Sequence, residues 1–412
     1  MWIILFTVFI DLIGFGILIP IIPLLVASPS SPFYLLPKGF TVNQGYILLG
    51  LLTAVYPLMQ FFANPILGQL SDKIGRKKLL AFSILGNSFS YALFATGIHM
   101  VSLPLLFIAR GLAGISGGNV AIAQAAIADV TTPQDRVKNF GLMGAAFGLG
   151  FIVGPFLGGK LADPTVVSWF NATTPFWFAA VLALLNGISI IFLFPETLKV
   201  KSAHLKLNLA QSVKNIMRAY TEKHMRILFA TSFFLWSGFS FFVTFFAVFL
   251  INRFHFNQSQ IGNLFAYFGL WIVITQGFLV QRVGKIFKEY QVLRVTFILM
   301  GISILLYFLP KVGWQLFIVA PFFSIANGLI QANLPGLISR SADASIQGEI
   351  LGINSSLQAL AQAIFPLVSG VVAAKLSPDD TLIIAAVLMI ATGLFFNLFY
   401  KPYVVHKREI ET

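Results

Sequence analysis

Two ionisable side chains lie in the middle of long apolar runs, where a charge is costly and is typically functional. Asp11 is about nine residues into the first run, and Arg110 is about nine residues into another. A carboxyl group that feels desolvation and a nearby cation unequally in two conformations can load a proton on one side of a membrane and release it on the other. Asp11 and Arg110 are therefore candidates for proton coupling. The alternative is a permanent ion pair that only orients helices.

Other catalytic chemistry has little support in the sequence. The chain has no Cys, and its five His fall in loops or near helix ends. No zinc-protease spacing and no pair of deep carboxylates occurs, so an enzyme is disfavoured. We expect no metal and no cofactor, and we expect the proton gradient to supply the energy.

The composition requires a membrane environment. Of the 412 residues, 58% are hydrophobic and 44 are Phe, which a soluble protein of this size could not bury. Apolar runs of about 20 residues recur along the chain, the length that a helix needs to cross a bilayer. The sequence predicts an all-α membrane protein with 12 transmembrane helices, which we call spans 1 to 12. Their predicted bounds are 2–27, 43–70, 79–98, 101–130, 138–163, 173–196, 224–252, 258–282, 290–309, 313–340, 348–375 and 378–402.

Charge distribution predicts the orientation. The formal net charge is +13, but the basic residues lie in short loops, which favours a topology signal over nucleic-acid binding. The connections after the even-numbered spans and the C-terminus hold 21 of the 27 Lys and Arg, and the other side holds five. The bias predicts that both termini are cytoplasmic, in a multi-pass protein of the bacterial inner membrane.

The sequence indicates an internal duplication of a six-span segment. A shift of 211 residues superimposes Gly141 on Gly352, Pro155 on Pro366 and Gly159 on Gly370. We predict two pseudo-symmetric six-helix bundles, with a site between them near the middle of the membrane, which is a transporter plan. A duplicated membrane protein without transport activity is the alternative. The predicted parts are a first bundle at 1–196, a cytoplasmic linker at 197–223, a second bundle at 224–402 and a tail at 403–412.

A charged motif follows span 2. "GQLSDKIGRKK", residues 68–78, fits the pattern G-x-L-[AS]-D-[RK]-x-G-R-[RK], and together with twelve spans it resembles the major facilitator superfamily. The resemblance implies that this loop latches the two halves in the outward-open state, with Asp72 contacting the start of span 11 near Gly348. The alternative is a loop charge that only marks the cytoplasmic side. The candidate latch residues are Gly68, Asp72, Gly75, Arg76 and Arg136.

A glycine-rich motif occupies span 5. "GAAFGLGFIVGPFLGG", residues 144–159, contains G-x(3)-G-P-x(2)-G-G, whose small residues allow close helix contact and whose proline bends the helix. The motif resembles the signature of facilitator exporters that exchange substrate for protons. Ordinary small-residue packing is the alternative. The motif residues are Gly144, Gly148, Gly150, Gly154, Pro155, Gly158 and Gly159.

Two further stretches narrow the resemblance. "IDLIGFGILIPIIPLL" (10–25) and "ADVTTPQDRVKNFGLMGAAFGLG" (128–150) are similar to the tetracycline-resistance branch of the twelve-span drug/proton antiporters. The resemblance covers most of the first half of the chain. It does not extend to three positions where tetracycline exporters carry ionisable residues, because Ser90, Ile272 and Met300 stand there.

Polar residues at helical spacing mark a candidate substrate cavity. Amide side chains four residues apart share one face of a helix, and aromatic residues accompany them in spans 7 and 8. A neutral cavity of amides and aromatics suits amphipathic organic molecules. Interhelical hydrogen bonding and lipid contact are the alternatives for each residue. The candidates are Tyr56, Gln60, Asn64, Asn119, Gln124, Trp236, Trp271, Gln276, Asn327, Gln331, Asn354, Gln358 and Gln362.

The sequence therefore favours proton-coupled export of amphipathic small molecules, a multidrug-type efflux that would confer antibiotic resistance. The alternatives are a metabolite or siderophore exporter on the same scaffold, a proton-coupled uptake symporter, and a membrane enzyme or lipid flippase. The expected partners are a small-molecule substrate, protons and the lipid bilayer, without nucleic acid, and the expected oligomeric state is a monomer.

Overall fold

The protein is all-helical. The computed structural model describes residues 2–131, 136–198, 210–222, 225–342 and 347–402. Within these ranges the chain contains no strand, and eleven of its helices are long and apolar enough to cross a membrane. Span 5 is also a helix, and its described apolar stretch is Gly148–Leu161. The predicted all-α membrane fold is confirmed.

The helices follow the predicted order. Spans 1 to 6 are Trp2–Ile17 with Ile22–Val26, Val42–Ile74, Arg76–His99, Leu103–Ser116 with Asn119–Asp129, Arg136–Leu161 and Thr174–Leu193. The linker helix is Gln211–Thr221. Spans 7 to 12 are Arg226–Phe254, Gln258–Ile274 with Thr275–Leu279 and Val280–Gly284, Glu289–Leu306, Gly313–Gln315 with Leu316–Arg340, Gln347–Lys375 and Pro378–Phe399. The Thr275–Leu279 turn is π-helical and Gly313–Gln315 is a 3₁₀ turn.

Span 2 is longer than predicted. It begins with a capping box, in which the side chains and backbone N–H groups of Thr41 and Gln44 bond reciprocally. It continues through Pro57 and Pro65 and ends at Ile74, next to Gly75. Gly75 has a φ of 118°, a conformation that favours glycine, and the chain turns there directly into span 3. Asp72 therefore lies in the last helical turn of span 2 and not in a loop.

Spans 1 and 4 were predicted as continuous helices, and both are interrupted. In span 1, the break includes Pro20, which has no N–H and weakens an α-helix, and the chain passes through turns such as Ile19 N–H to Gly16 O at 3.1 Å. In span 4, the break falls at Gly117 and Gly118. The break leaves the carbonyl oxygen of Gly117 available to a side chain from span 2.

The two halves repeat the same helix pairings. In the first half, span 1 packs on span 5, span 2 on span 4, and span 3 on span 6. In the second half, span 7 packs on span 11, span 8 on span 10, and span 9 on span 12. Each pairing is shifted by six spans, as the internal duplication predicts. Between the halves, span 2 packs on span 11 and span 5 packs on span 8.

Direct contacts between the halves concentrate at one end of the bundle. We call the end where span 2 meets span 3 the basic end, and the other the opposite end. At the opposite end, a Cβ on Gly50 would collide with Pro366 O, and one on Gly262 would lie 2.6 Å from Pro155 O. Gln258 Nε2 also donates to Ala162 O (3.2 Å) there. Such backbone-close packing seals the opposite end.

The basic end is more open along spans 2 and 11. At Gly68 and at Gly352, no described heavy atom lies within 4 Å of the place that a Cβ would take. Among the described spans, the hydrogen bonds that join the halves directly are Asn252 Nδ2 to Tyr46 Oη (3.4 Å) and the Gln258 bond, both near the opposite end. Spans 2 and 11 therefore converge at the opposite end and pack less closely toward the basic end, whereas spans 5 and 8 stay near each other as far as Gly148 and Gln276.

The glycines of span 5 face two different neighbours. Gly150, Gly154 and Gly158 are four residues apart and lie against the backbone of span 1. Gly159 instead packs across the seam, against the backbone of Gln258 in span 8. The surroundings of Gly144 lie outside the described residues. The motif thus positions span 1 inside the first half and joins span 5 to the second half.

We expect Gly154→Ala to destabilise the protein by about 1–3 kcal/mol, the usual effect of overpacking. Its Cβ would lie 2.8 Å from both Gly16 Cα and Ile13 O, which are backbone atoms that cannot rotate away. Gly148→Ala is the matched control, because the nearest described atom, Gln276 Oε1, is 4.0 Å from that Cβ position and alanine favours the helix by about 1 kcal/mol. Thermal unfolding in detergent should show a lower Tm for Gly154→Ala alone. Equal Tm values for the two variants would contradict the packing assignment.

Candidate functional site

The buried carboxylate of Asp11 is held by two amides. Asp11 lies in the middle of the first helical segment of span 1. Its Oδ1 accepts hydrogen bonds from Asn87 Nδ2 of span 3 (2.7 Å) and from Asn119 Nδ2 of span 4 (2.8 Å). Asn87 and Asn119 are themselves buried, at 4% and 2% exposure. Three spans of the first half therefore meet at one carboxylate oxygen.

A small polar cavity adjoins this carboxylate. It lies between spans 1, 3, 4 and 6 and has room for about one water molecule. Asn87 Oδ1 and Asn119 Oδ1 are buried and accept no hydrogen bond from the described residues. Both oxygens can accept one from a proton carrier that reaches Asp11. The lining residues are Thr7, Ile10, Asp11, Ile84, Asn87, Tyr91, Asn119, Ala183 and Asn186.

Arg110 is not the partner of Asp11. Its Nε donates to Leu52 O (3.3 Å), and its guanidinium carbon lies 4.8 Å from the ring centroid of Tyr56. Among the described residues, no base forms an ion pair with Asp11. Tyr56 and Tyr91 are each close enough to interact electrostatically with both charges. The permanent ion pair that the sequence left open is therefore absent from this conformation, and two tyrosines lie near both groups.

Arg76 is the centre of a second cluster, at the basic end. Its Nη1 lies 2.6 Å from Asp72 Oδ1, and its Nε lies 3.1 Å from Asp129 Oδ2. Its backbone N–H donates to Glu196 Oε1 (2.9 Å), and its side chain also contacts Ser71 Oγ. The cluster joins the basic ends of spans 2, 4 and 6, so Asp72 bonds inside the first half in this conformation.

The span 11 side of the predicted latch lies outside the described residues. The surroundings of Gly348 at the start of span 11 and the side chain of Arg136 lie outside the described residues. The contact between Asp72 and span 11 in another conformation therefore stays a prediction. Asp129 and Glu196 were not among the candidates, although Asp129 falls within the "ADVTTPQDR" stretch that carried the family resemblance.

Three candidate cavity residues belong to the first-half network. Gln60 Nε2 donates to Gly117 O (3.0 Å), at the break of span 4, and lies 3.4 Å from Tyr56 Oη. Asn119 holds Asp11. These residues make structural hydrogen bonds between helices, which was one of the alternatives. Asn87 was not among the candidates, because only the packing of span 3 against span 1 brings its side chain to Asp11.

The other candidates are dispersed along the seam and the second half. Asn64, Asn354 and the indole N–H of Trp271 each present a buried polar atom without a described partner. Gln276 lies in the π-helical turn of span 8, a type of irregularity that is frequent at functional sites. Gln331 Nε2 donates to Asn327 Oδ1 (3.3 Å), and Trp236 packs against Phe239. Gln358 and Gln362 are half-buried, whereas Gln124 is exposed.

Arg76→Gln should lower the free energy of unfolding by about 1–3 kcal/mol, because it removes the base shared by two carboxylates. The Arg76 side chain is only 8% exposed, whereas Asp72 and Asp129 keep partial contact with solvent, which limits the loss. Lys78→Gln is the matched control, since it removes one positive charge from an exposed side chain in the same motif. Chemical denaturation in detergent would measure both variants. An equal effect of the two substitutions would show that Arg76 is not a structural centre.

Among the described residues, eleven long apolar spans and the shorter span 5, paired in the same way in two halves around a seam, define a secondary membrane transporter. The sequence profile of the Major Facilitator Superfamily matches residues 4–366 and again 228–412. The chain belongs to the Major Facilitator Superfamily and is a multi-pass integral membrane protein.

Individual relatives agree with this family. The chain is 32% identical over 370 residues to the class H tetracycline resistance protein of Pasteurella multocida, covering 89% of this chain and 86% of that one. It is 26% identical to multidrug resistance protein 2 of Bacillus subtilis (strain 168), covering 90% and 87%. A crystal structure of a D-xylose–proton symporter superimposes with a TM-score of 0.77 at 16% identity, covering 97% of each chain, which establishes the shared fold.

Proposed function

We propose that this protein is a proton-coupled exporter of amphipathic small organic molecules in the bacterial inner membrane. The observation that carries the proposal is Asp11, a carboxylate inside the first half that is bonded to two neutral amides and to no described base. A carboxylate without a cationic partner can change its protonation state when its surroundings change. The similarity to tetracycline and multidrug resistance proteins supports export as the direction of transport.

The proposed coupling uses Asp11 together with Arg110. In the conformation described here, Asp11 is bonded to Asn87 and Asn119, and Arg110 rests on Tyr56. A shift of span 4 relative to span 1 would change the distance between the two charges, because Asn119 and Arg110 lie on opposite sides of the span 4 break. Proton binding at Asp11 would then favour one of two arrangements of the first half.

The proposed substrates are amphipathic and carry little negative charge. At the positions where tetracycline exporters bear ionisable residues, Ser90, Ile272 and Met300 are buried and uncharged here. The candidate polar groups of the seam are amides and an indole, which bind organic molecules without demanding a fixed charge. This favours a multidrug-type substrate range over tetracycline alone.

We also propose the orientation and the moving parts. The basic end faces the cytoplasm, because the connections there carry most of the Lys and Arg. Residues 1–196 and 224–402 move as two bundles that the 197–223 segment links, and the tail 403–412 is cytoplasmic. The protein alternates between a state open at the basic end, as described here, and one in which Asp72 latches to span 11.

We expect Asp11→Asn to abolish substrate export driven by a pH gradient while substrate binding is retained, because asparagine keeps the shape of the side chain and cannot exchange a proton. Ethidium uptake into everted vesicles, whose cytoplasmic face points outward, measures the driven step under an imposed pH gradient. Ethidium binding to the purified variant measures recognition separately. The rate of transport should fall by at least tenfold, which corresponds to about 1.4 kcal/mol or more in the barrier. The affinity for ethidium should change by less than threefold.

Glu222→Gln is the control, since it neutralises an exposed acid near the basic end and should leave the efflux unchanged. Near wild-type efflux by Asp11→Asn against a gradient would refute the coupling assignment. Proton movement in the same direction as the substrate would instead identify an uptake symporter.

A further inference from the structure

The linker helix, Gln211–Thr221, is inserted between the two halves. Ser212 Oγ donates to Phe61 O of span 2, and Asn215 Nδ2 donates to Ser356 Oγ of span 11 (3.0 Å). Together with Ala219, these residues form a small, buried face, with exposures of 1%, 8% and 7%. Residues 212, 215 and 219 share one side of a helix because they are three and four positions apart.

These contacts lie well inside the helical bundle. Ser356 is nine residues from the start of span 11, roughly 13 Å along the helix, and Phe61 is 13 residues from the end of span 2, roughly 20 Å. The direct bonds between the halves are near the opposite end, as described above. The linker helix is thus the element that bridges spans 2 and 11 in their basic-end portions, among the described residues.

The side of the linker helix that faces away from the bundle carries both apolar and basic residues. Val213, Met217 and Tyr220 are 46%, 65% and 76% exposed and follow one another at helical spacing. Lys214 and Arg218 are exposed beside them, one position further along. This arrangement puts an apolar strip next to a basic strip on the side of the helix that faces away from the bundle.

The pattern fits one kind of partner. A helix with exposed apolar residues flanked by Lys and Arg lies at the boundary between lipid headgroups and acyl chains, and binds anionic lipids most strongly. Tyr220 contributes an interfacial aromatic ring, and Arg226 at the start of span 7 stacks over it, with its guanidinium carbon 5.0 Å from the ring centroid. An anionic phospholipid supplies both the negative charge and the hydrocarbon that this surface requires.

We propose that the linker helix is a lipid-binding wedge: its outer face binds anionic phospholipid, and its buried face holds spans 2 and 11 apart at the basic end. Closure of the basic end requires these two spans to approach, and Ser212 and Asn215 occupy the space between them. Anionic lipid bound to the outer face anchors the helix there. The lipid therefore favours the conformation that is open at the basic end.

The proposal of a lipid-binding wedge depends on the alternating access that is part of the proposed function. Its test, however, needs neither substrate nor a proton gradient. The chain has no Cys, so spin labels can be placed at Lys73→Cys and Leu351→Cys in an otherwise native sequence. Both side chains are exposed, near the basic ends of spans 2 and 11. Distance distributions are measured by double electron–electron resonance in nanodiscs of phosphatidylcholine, with and without phosphatidylglycerol.

Phosphatidylglycerol should raise the ratio of long to short distances about fivefold, which corresponds to about 1 kcal/mol. The pair Lys214→Gln and Arg218→Gln should remove that response, whereas the control pair Lys77→Gln and Lys78→Gln, which loses the same charge at the same end, should keep it. Ser212→Ala with Asn215→Ala tests the buried face, and should lower the ratio in both lipids.

Three results would overturn the proposal. The first is an unchanged distance distribution on addition of phosphatidylglycerol. The second is an equal response of the 214/218 pair and the 77/78 pair, which would place the lipid effect elsewhere. The third is the same shift produced by polyglutamate in phosphatidylcholine alone, which would identify an acidic polypeptide as the partner. A loss of proton coupling in Asp11→Asn has no bearing on these outcomes, so failure of the wedge and failure of the proposed function are distinguishable.

Discussion

The structure depends on the burial of one carboxylate inside an apolar six-helix bundle. An isolated carboxylate in such a place is strongly destabilising unless its oxygens are hydrogen-bonded. Here two amides from spans 3 and 4 supply the donors to Asp11 Oδ1, and both amides leave an oxygen without a described partner. The first half therefore contains a polar site with two amide oxygens that no described residue uses, and each can accept a further hydrogen bond.

The glycine motif of span 5 holds the helix that carries Asp11. Gly150, Gly154 and Gly158 bring the backbones of spans 1 and 5 into direct contact, so the position of Asp11 along the bundle is fixed by rigid packing. At its far end the same motif contacts span 8 through Gly159. Span 5 thus touches both the helix that carries Asp11 and the second half, so it connects the surroundings of Asp11 physically to the seam between the halves.

The two ends of the bundle are stabilised in different ways. At the opposite end, glycines bring the backbones of spans 2 and 11, and of spans 5 and 8, into close contact. At the basic end, charged groups dominate, and Arg76 ties together the helix ends of the first half alone. Close backbone packing is strong but must separate as a unit, whereas ion pairs near solvent can exchange partners. The asymmetry suits a protein that is closed at one end and open at the other in this conformation.

The sequence by itself determined the helical membrane class and the family, because both follow from local properties. Apolar length predicts a spanning helix, and the loop motif and the span 5 glycines are contiguous patterns. Asp11 could be selected for the same reason, since a lone acid in an apolar run is visible in one dimension. The continuous helices expected for spans 1 and 4 were wrong, and residue type alone does not locate their breaks at Pro20 and Gly117–Gly118, because span 5 continues through Pro155 and several glycines.

Only the tertiary structure decided the partners of these residues. Asn87 and Asn119 are 32 positions apart and meet at Asp11 because spans 1, 3 and 4 pack together, and no local pattern contains that information. An ion pair of Arg110 with Asp11 was one of the alternatives that the sequence allowed, but Arg110 lies on Tyr56 instead, because the direction of a side chain follows the face of its helix. The linker was predicted as a polar connection, and its insertion between spans 2 and 11 depends on a gap that exists only when both halves are folded.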